Sequence, residues 1–482
     1  MTFELPAAVG WLALTLHTGL SLLCAWHALL TKREPRSALA WIGITLLLPL
    51  GGPLLYFAFG VNRIRTRGQR LHRRFPMPLE FGYEQADDAD PPPAASTVLA
   101  TGPSGQIARA SAQVSRRPCL PGNTIDVLHN GEQAYPAMIE VIRSAERYVY
   151  LSSYIFGARG AARDIIDALK AAQRRGVTVC VLVDGLGQWY TLPRARPLLK
   201  EAGVRVAEFL PLRLWPPSLH VNLRNHRKVL VVDGEVALTG GMNIADYHCV
   251  AGGGRNRVID LHLRLRGPVV GQMETVFAED WRFATGQALP EPAPAGIGPG
   301  SASCRVITDG PNEDLDRLAL VLLVAVSAAQ RRICIMTPYF LPSRELLGAL
   351  QAAALRGVRV TILLPGKNNL PYVHWATRNM LWELLQHGVE VRYHPPPFVH
   401  SKLLLIDEDY AQVGSANLDP RSLRLNFELN VELFDPAFSA LLADHFATAW
   451  ERSRPVTLAD ISQRRLAVRT RDAFCWLFSP YL

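Results

Sequence analysis

His226-Arg-Lys228-Val-Leu-Val-Val-Asp233 and His400-Ser-Lys402-Leu-Leu-Leu-Ile-Asp407 write one phrase twice: a His, a Lys two residues on, an apolar run, and an Asp. Each copy is followed by a Gly-rich stretch ending in Asn, Gly240-Gly241-Met-Asn243 in the first and Gly414-Ser415-Ala-Asn417 in the second. The apolar runs 229–232 and 403–406 are too short for helices and rich in strand-forming residues, so they read as buried strands. Side chains alternate along a strand, which aims His226 with Lys228, and His400 with Lys402, at one strand end. A repeated half-site of this kind implies a duplicated α/β architecture with one site between the copies.

The residue types fit phosphoryl chemistry. A neutral imidazole is a nucleophile or base, an imidazolium an acid, and a Lys a cation that can hold charge on a phosphodiester. Asn243, Ser415 and Asn417 sit in turns where small neighbours allow close approach, and they are expected to contact phosphate. A nucleophilic His needs its far nitrogen held by an acceptor. Asp260, downstream of His226, and Glu428, downstream of His400, are the candidates. Asp233 and Asp407 complete the six-residue catalytic motif, but they end their strands at turns and read as acceptors for backbone amides. No His/Asp/Glu cluster has metal-ligand spacing, so neither a metal nor a cofactor is expected.

These stretches resemble the phospholipase D superfamily, and within it the bacterial cardiolipin synthases. The resemblance rests on the doubled motif and on Asn222-Leu-Arg224-Asn225-His226, Gly414-Ser-Ala-Asn417-Leu-Asp419-Pro-Arg421-Ser422 and Leu425-Asn426-Phe427-Glu428. The aromatic stretches Ser153-Tyr154-Ile-Phe156 and Thr337-Pro338-Tyr339-Phe340-Leu-Pro342 extend it over nearly the whole chain. The chain departs from the family wording at Asn369, where an acid is expected, and at Val258-Ile-Asp260-Leu. The resemblance implies phosphatidyl transfer between two phosphatidylglycerols through a phosphohistidine on His226, with His400 managing the proton. It names a membrane-bound phospholipase D or a tethered phosphodiesterase or nuclease as the alternative.

Composition supports a lipid partner. The chain has 482 residues, 49% of them hydrophobic, and a formal charge of +9, which suits an anionic partner. No cluster of aromatics interleaved with Lys and Arg marks a nucleic-acid groove, so phosphatidylglycerol, other anionic phospholipids and the membrane are the expected partners. Seven scattered cysteines fit no disulfide framework. Residues 7–30 and 37–60 carry no Asp, Glu, Lys or Arg. At ~1.5 Å per residue each reaches about 36 Å, beyond the ~30 Å of a hydrocarbon core. They predict a helical hairpin in a bacterial inner membrane, a multi-pass anchor. Pro49, Gly51, Gly52 and Pro53 imply that its second arm is kinked or re-entrant. The arginines at 63, 65, 67, 70, 73 and 74 favour a hairpin with both ends cytoplasmic and hence a cytoplasmic catalytic domain, a vote that Lys32, Arg33 and Arg36 between the apolar segments weaken.

The remaining chain divides accordingly. The reading is an anchor over 1–62, a basic then flexible linker over 63–118, a first half over 119–284, a Pro- and Gly-rich linker over 285–299, and a second half with a tail over 300–482. Each half opens with the same order, strand 148–156, helix 161–175 and strand 177–184 in one, strand 332–341, helix 344–356 and strand 358–365 in the other. The tail, with arginines at 464, 465, 469 and 471 before Phe474-Cys-Trp476-Leu-Phe478, fits either a lipid-surface helix or a last helix on the core.

Overall fold

A computed structural model of the chain describes residues 7–32, 35–60, 102–211, 223–253, 256–292, 298–310 and 316–479. The arginine run at 63–74, most of the linker that follows it, and Asn222 lie outside the described residues. The chain forms two compact units, Met1–Arg74 and Phe75–Leu482.

In the larger unit the short apolar runs are strands. The first half supplies β1 (Leu120–His129), β2 (Tyr148–Ser153), β3 (Thr178–Asp184), β4 (Arg205–Phe209), β5 (Val229–Val232), β6 (Val236–Gly240), β7 (Val258–Ile259) and β8 (Leu261–Arg266). The second supplies β9 (Ala302–Asp309), β10 (Arg332–Met336), β11 (Arg359–Pro365), β12 (Glu390–His394), β13 (Phe398–Val399), β14 (Leu403–Ile406), β15 (Tyr410–Gly414), β16 (Glu428–Phe434) and β17 (Arg454–Pro455). Among the described residues fifteen of these form one sheet, joined at its centre by β1 and β9. Outward from that seam the order is β8-β6-β5-β2-β3-β4 on one side and β16-β15-β14-β10-β11-β12 on the other, with β17 added at the second edge. In both halves the three outer strands are parallel and the inner ones antiparallel. The repeat seen in the sequence is therefore a repeat of topology.

Helices cover both faces of the sheet, which is why β5 and β14 are apolar at every position and wholly buried. On one face the helices Asn130–Ser144 and Ala161–Arg174 close a core private to the first half. Arg317–Ala328, Arg344–Leu355 and Pro371–Leu385 close a second core in the other half. On the opposite face Val269–Thr285 and Pro436–Glu451 lie over a core that runs through strands of both halves. That shared core fuses the copies across the seam.

Two expectations for the linker and tail are revised. Residues 102–115, read as the end of a linker, form a helix whose Ile107 and Ala108 are buried in the second half's core. Ser111 Oγ donates to Glu432 Oε1 at 2.7 Å, and Arg305 Nη2 donates to the Ala108 carbonyl at 2.9 Å. Its small, weakly apolar residues give no strong periodicity, so the packing became visible only with its partners in place. The tail forms a helix, Leu466–Leu477, docked on the core through fully buried Asp472. Arg378 grips that carboxylate at 2.7 and 2.9 Å, and Arg464 and Arg471 join it. Leu466, Phe474 and Leu477 remain exposed on its outer side.

The smaller unit holds a helix, Ala7–Thr31, of which Gly10–Thr31 is long and apolar enough to cross a membrane. Among the described residues it alone meets that test, so the expected second full span is not formed. The segment instead folds as Pro35–Leu47, a break at Pro49 and Leu50, then Gly51–Leu55 and a π-turn over Tyr56–Gly60. Leu50 takes φ 53° at the break. The two pieces run down and back along the first helix. His17 meets the Leu46 carbonyl and the Leu50 amide, Ser21 Oγ donates to the Thr45 carbonyl at 2.5 Å, and His27 Nδ1 lies 2.7 Å from the Tyr56 hydroxyl. Lys32 Nζ closes the path on the Gly60 carbonyl at 2.6 Å. Lys32 and Gly60 thus sit at one end of the unit, with the turn beside His17.

Candidate active site

The two motif copies meet where each half lends backbone to the other. The His226 amide donates to the Phe427 carbonyl at 2.9 Å, and the Phe427 amide donates to the Arg224 carbonyl at 2.8 Å. In the mirrored contact the His400 amide donates to the Ile259 carbonyl at 2.8 Å, beside the parallel pairing of β13 with β7. Each His is therefore clamped next to the residue that precedes the other half's acid. The His-x-Lys segments are extended lead-ins to β5 and β14 rather than parts of the strands.

This crossing corrects the pairing suggested by sequence order. His226 Nδ1 lies 3.0 Å from Glu428 Oε2, and His400 Nδ1 lies 2.7 Å from Asp260 Oδ2. A carboxylate accepts only, so Nδ1 carries the proton in each ring and Nε2 is left with its lone pair. Both acids are as buried as the pairing requires, Glu428 at 0% and Asp260 at 1% exposure. Burial pushes the Glu428 carboxyl up, but His226, Lys228 and the Ser415 hydroxyl hold it below the usual range. Burial lowers His226 below 6.5, against the pull of Glu428, and lowers His400 well below it, helped by the two lysines. Both imidazoles are neutral near neutral pH.

Lys228 Nζ donates to the His226 carbonyl at 2.7 Å, and Lys402 Nζ to the His400 carbonyl. Burial brings Lys228 down to about 7 and Lys402 to about 8, while Glu428 and Asp260 pull both back up. Two amines so poised gain their full charge when an anion arrives.

Asp233 accepts the amides of Glu146, Arg147 and Tyr148 at 2.7–2.9 Å, and Asp407 those of Gln330, Arg331 and Arg332 at 2.7–3.0 Å. Both residues adopt positive φ, 54° and 51°. They pin the start of β2 and of β10 to the motif strand, which is the amide-binding role read from the sequence. They stand away from the reacting groups.

The turn residues bond to groups around the site. Ser415 Oγ donates to Glu428 Oε2 at 2.5 Å and accepts the Leu429 amide at 3.0 Å, so it holds the acid in place. Gly241 occupies the matching position of the first half, where an added Cβ would lie 2.3 Å from Asp260 Oδ1. Asn243 Oδ1 accepts the Ile155 amide at 3.2 Å and its Nδ2 donates to the Tyr247 hydroxyl; Asn417 Nδ2 donates to Ser422 Oγ at 3.0 Å. These bonds brace the turns around the site.

Aromatic rings line it. Tyr154 meets His226 edge to face, with ring centroids 5.1 Å apart, and lies under Lys228 Nζ at 5.6 Å. Phe398 and His248 flank His400 at 5.9 and 6.1 Å. The Tyr339 ring lies tilted against Phe398, and its hydroxyl donates to Asn369 Oδ1 at 2.8 Å, so the amide fills the place expected of an acid. His248 had no partner nameable from sequence. Its Nε2 accepts the Asn243 amide at 3.1 Å, and burial takes it down to about 3, a neutral wall of the site.

Comparison with known proteins agrees with this geometry. A family profile described as the phospholipase D-like domain of cardiolipin synthase matches residues 138–281 and 322–450, one half each. The chain is 31% identical to cardiolipin synthase A of Pseudomonas putida (strain GB-1) across the full length of both. It belongs to the cardiolipin synthases of the phospholipase D superfamily. It is also 30% identical to the major cardiolipin synthase of Bacillus subtilis (strain 168), covering 94% of this chain and 95% of that one. A phosphatidylserine synthase from Haemophilus influenzae Rd KW20 shares the fold, with a TM-score of 0.60 over 78% of this chain at 16% identity. Residues 19–60 match the N-terminal segment of phospholipase D-nuclease proteins, which together with the apolar helix associates the chain with a membrane.

Proposed function

We propose that the chain joins two phosphatidylglycerols into cardiolipin and releases glycerol. The observation that carries this reading is the pair of crossed His–carboxylate contacts, which gives one cleft two imidazoles with free Nε2 atoms and two lysines. His226 Nε2 attacks the phosphodiester of the first lipid, the bond to glycerol breaks, and a phosphatidyl-histidine forms. Binding of the anionic diester raises the neighbouring bases, so His400 takes up a proton with the substrate and delivers it to the departing glycerol oxygen. Neutral again, His400 removes the proton from a hydroxyl of the second phosphatidylglycerol, which attacks phosphorus and frees His226. Lys228 and Lys402 hold the phosphoryl charge throughout. Glu428 and Asp260 fix the two tautomers. Incubation of proteoliposomes with phosphatidylglycerol alone is expected to yield cardiolipin and glycerol, and His226→Ala to abolish both. Phosphatidic acid as the main product would point to hydrolysis instead.

We also place the catalytic unit on the cytoplasmic face of the inner membrane, with the N-terminus on the opposite face. The folded-back path of residues 35–60 supports this reading. A helix of 13 residues reaches about 20 Å, short of a ~30 Å core, and the chain returns to the level of Lys32. One span and a re-entrant hairpin put Lys32, Arg33 and Arg36 on the same side as the arginines that follow Gly60. The two basic clusters then vote together for the cytoplasm. Single cysteines at positions 2, 34 and 62, in a background lacking all seven native cysteines, test it. Position 2 alone should label from outside; labelling of 2 and 62 from one side would restore a two-span hairpin.

A further inference from the structure

In each half the loop after the middle of the three parallel strands reaches the rim of the cleft. In the first half the turn after β3 is pinned at both ends. Asp184 Oδ1 accepts the amides of Leu186 and Gly187 at 2.8 and 2.9 Å, and Thr191 Oγ1 donates to the Phe156 carbonyl at 3.3 Å. Gly187 packs so closely that a side chain there would collide with the Tyr154 carbonyl. The Tyr190 ring lies 6.1 Å from that of Tyr154, which in turn meets His226, so the turn stands one ring away from a reacting imidazole. From this fixed frame Trp189, Tyr190 and Leu192 project into solvent, at 56%, 62% and 70% exposure. The Arg194 guanidinium lies 3.5 Å from the centre of the Trp189 ring. The loop after β11 holds the same place in the second half. Asn368 Nδ2 donates to the Pro338 carbonyl at 2.9 Å, Asn369 accepts the Tyr339 hydroxyl, and Lys367 and Tyr372 are exposed on either side. Residues 185–200 and 366–378 contain basic side chains and no acid. Glu208, on the strand beside β3, is paired with Arg196 at 2.8 Å.

Single exposed apolar residues are ordinary on any surface, but Trp189, Tyr190 and Leu192 stand together on a pinned turn at the mouth of a site. Trp and Tyr favour the headgroup layer of a bilayer, where the ring body is sheltered and its polar tip stays wet. A guanidinium stacked on such a ring meets the phosphates of the same layer. A rim with cations and no acid is drawn to an anionic lipid surface rather than repelled by it. The substrates supply the need. Drawing a two-chain lipid out of the bilayer to reach His226 costs free energy for every methylene exposed, whereas a mouth seated in the headgroup layer takes the phosphodiester with its chains left in place. We propose that the rim loops 185–194 and 366–372 are the docking surface of the catalytic unit for an anionic bilayer: Trp189, Tyr190 and Leu192 enter the headgroup layer and turn the cleft to face it. The inference rests on the phosphatidyl-transfer reading and adds how its lipids reach the site.

The test uses the full-length protein in vesicles of phosphatidylglycerol and phosphatidylcholine. In a background lacking the seven native cysteines, Leu192→Cys and Leu355→Cys each carry one environment-sensitive fluorophore. Leu355 is as exposed as Leu192, at 72%, but it precedes β11 and so lies at the opposite end of the parallel strands. A nitroxide high on the acyl chain of some of the lipids should quench the label at 192 about threefold more than that at 355, at every protein-to-lipid ratio. Equal quenching at the two positions, or none at 192, overturns the docking surface. A label at 192 that is shielded from water yet untouched by the lipid nitroxide would give the rim to a second copy of the chain or to another of its own segments, which also overturns it. With the native cysteines kept, Trp189→Ser combined with Leu192→Ser should raise KM for phosphatidylglycerol, expressed as its mole fraction in the vesicle, about tenfold while kcat stays within about twofold. A fall in kcat at unchanged KM would make the turn a support for Tyr154 rather than a lipid contact, and the proposal would fail. Absence of cardiolipin formation in the wild-type protein would remove the transfer reading instead, leaving the quenching contrast to decide the docking surface by itself.

Discussion

Lys228 and Lys402 are the residues whose charge depends most on what fills the cleft. In the free protein they lose their protons near pH 7 and 8, because burial opposes the ammonium form. A lowered pKa means that the charge is present below that pH and lost as pH rises through it. The attraction for an anionic headgroup should therefore weaken on the alkaline side, while both histidines, lowered below 6.5, stay neutral until the pH drops beneath that value. The pH profile of kcat/KM for phosphatidylglycerol should show an alkaline limb beginning between about 7 and 8 and an acid limb below about 6.5. Lys228→Gln should cost about a hundredfold or more in kcat/KM, the order expected for losing a charged phosphoryl donor, and should flatten the alkaline limb. The His and Lys of both copies were legible in the sequence because their types and spacing repeat. Tyr154 and Tyr339 left a signal in the aromatic stretches, but no spacing rule told that one would touch His226 and the other Asn369. His248 left none, since a lone His reads the same whether it lines a site or fills a core.

At the scale of elements, Asp233 and Asp407 fasten one strand start to another. Removing the Asp233 carboxylate strands three amides and should destabilise the larger unit by about 2–4 kcal/mol. Asp233→Asn, which tolerates positive φ and keeps one acceptor, should lose about half as much. Thermal unfolding in detergent reads the difference, and catalysis per folded molecule should change little in either variant. Strands β5 and β14 and the helix–strand order of each half were legible, because a sheet covered on both faces makes its strands continuously apolar. The helix Gly102–Ser115 was not, as its burial rests on one large side chain, Ile107, among Ala, Ser and Gly contacts that carry no periodic signal. The bond of Ser415 to the acid was not legible for a related reason. A hydroxyl in a Gly-rich turn looks the same whether it faces a phosphate or a carboxylate.

For the whole molecule, crossed pairing means that neither half owns a complete reacting group. His226 needs Glu428 and His400 needs Asp260, and one continuous core locks the halves together within one chain. Full-length His226→Ala and His400→Ala proteins, each inactive, should remain inactive when co-expressed in one membrane. Restored cardiolipin formation would show that sites are shared between chains.

The sequence by itself determined the duplication, the strands that carry the motif, the two His/Lys pairs and the apolar N-terminus. These are local matters, settled by residue type and period. Tertiary structure alone decided which acid serves which His, what Ser415 holds, and where residues 35–60 lead. Each of these depends on contacts between distant segments. Sequence order ranks Asp260 with His226, but the two-fold seam brings Phe427 and Glu428 to His226 instead, because backbone pairing across the halves is what closes the site.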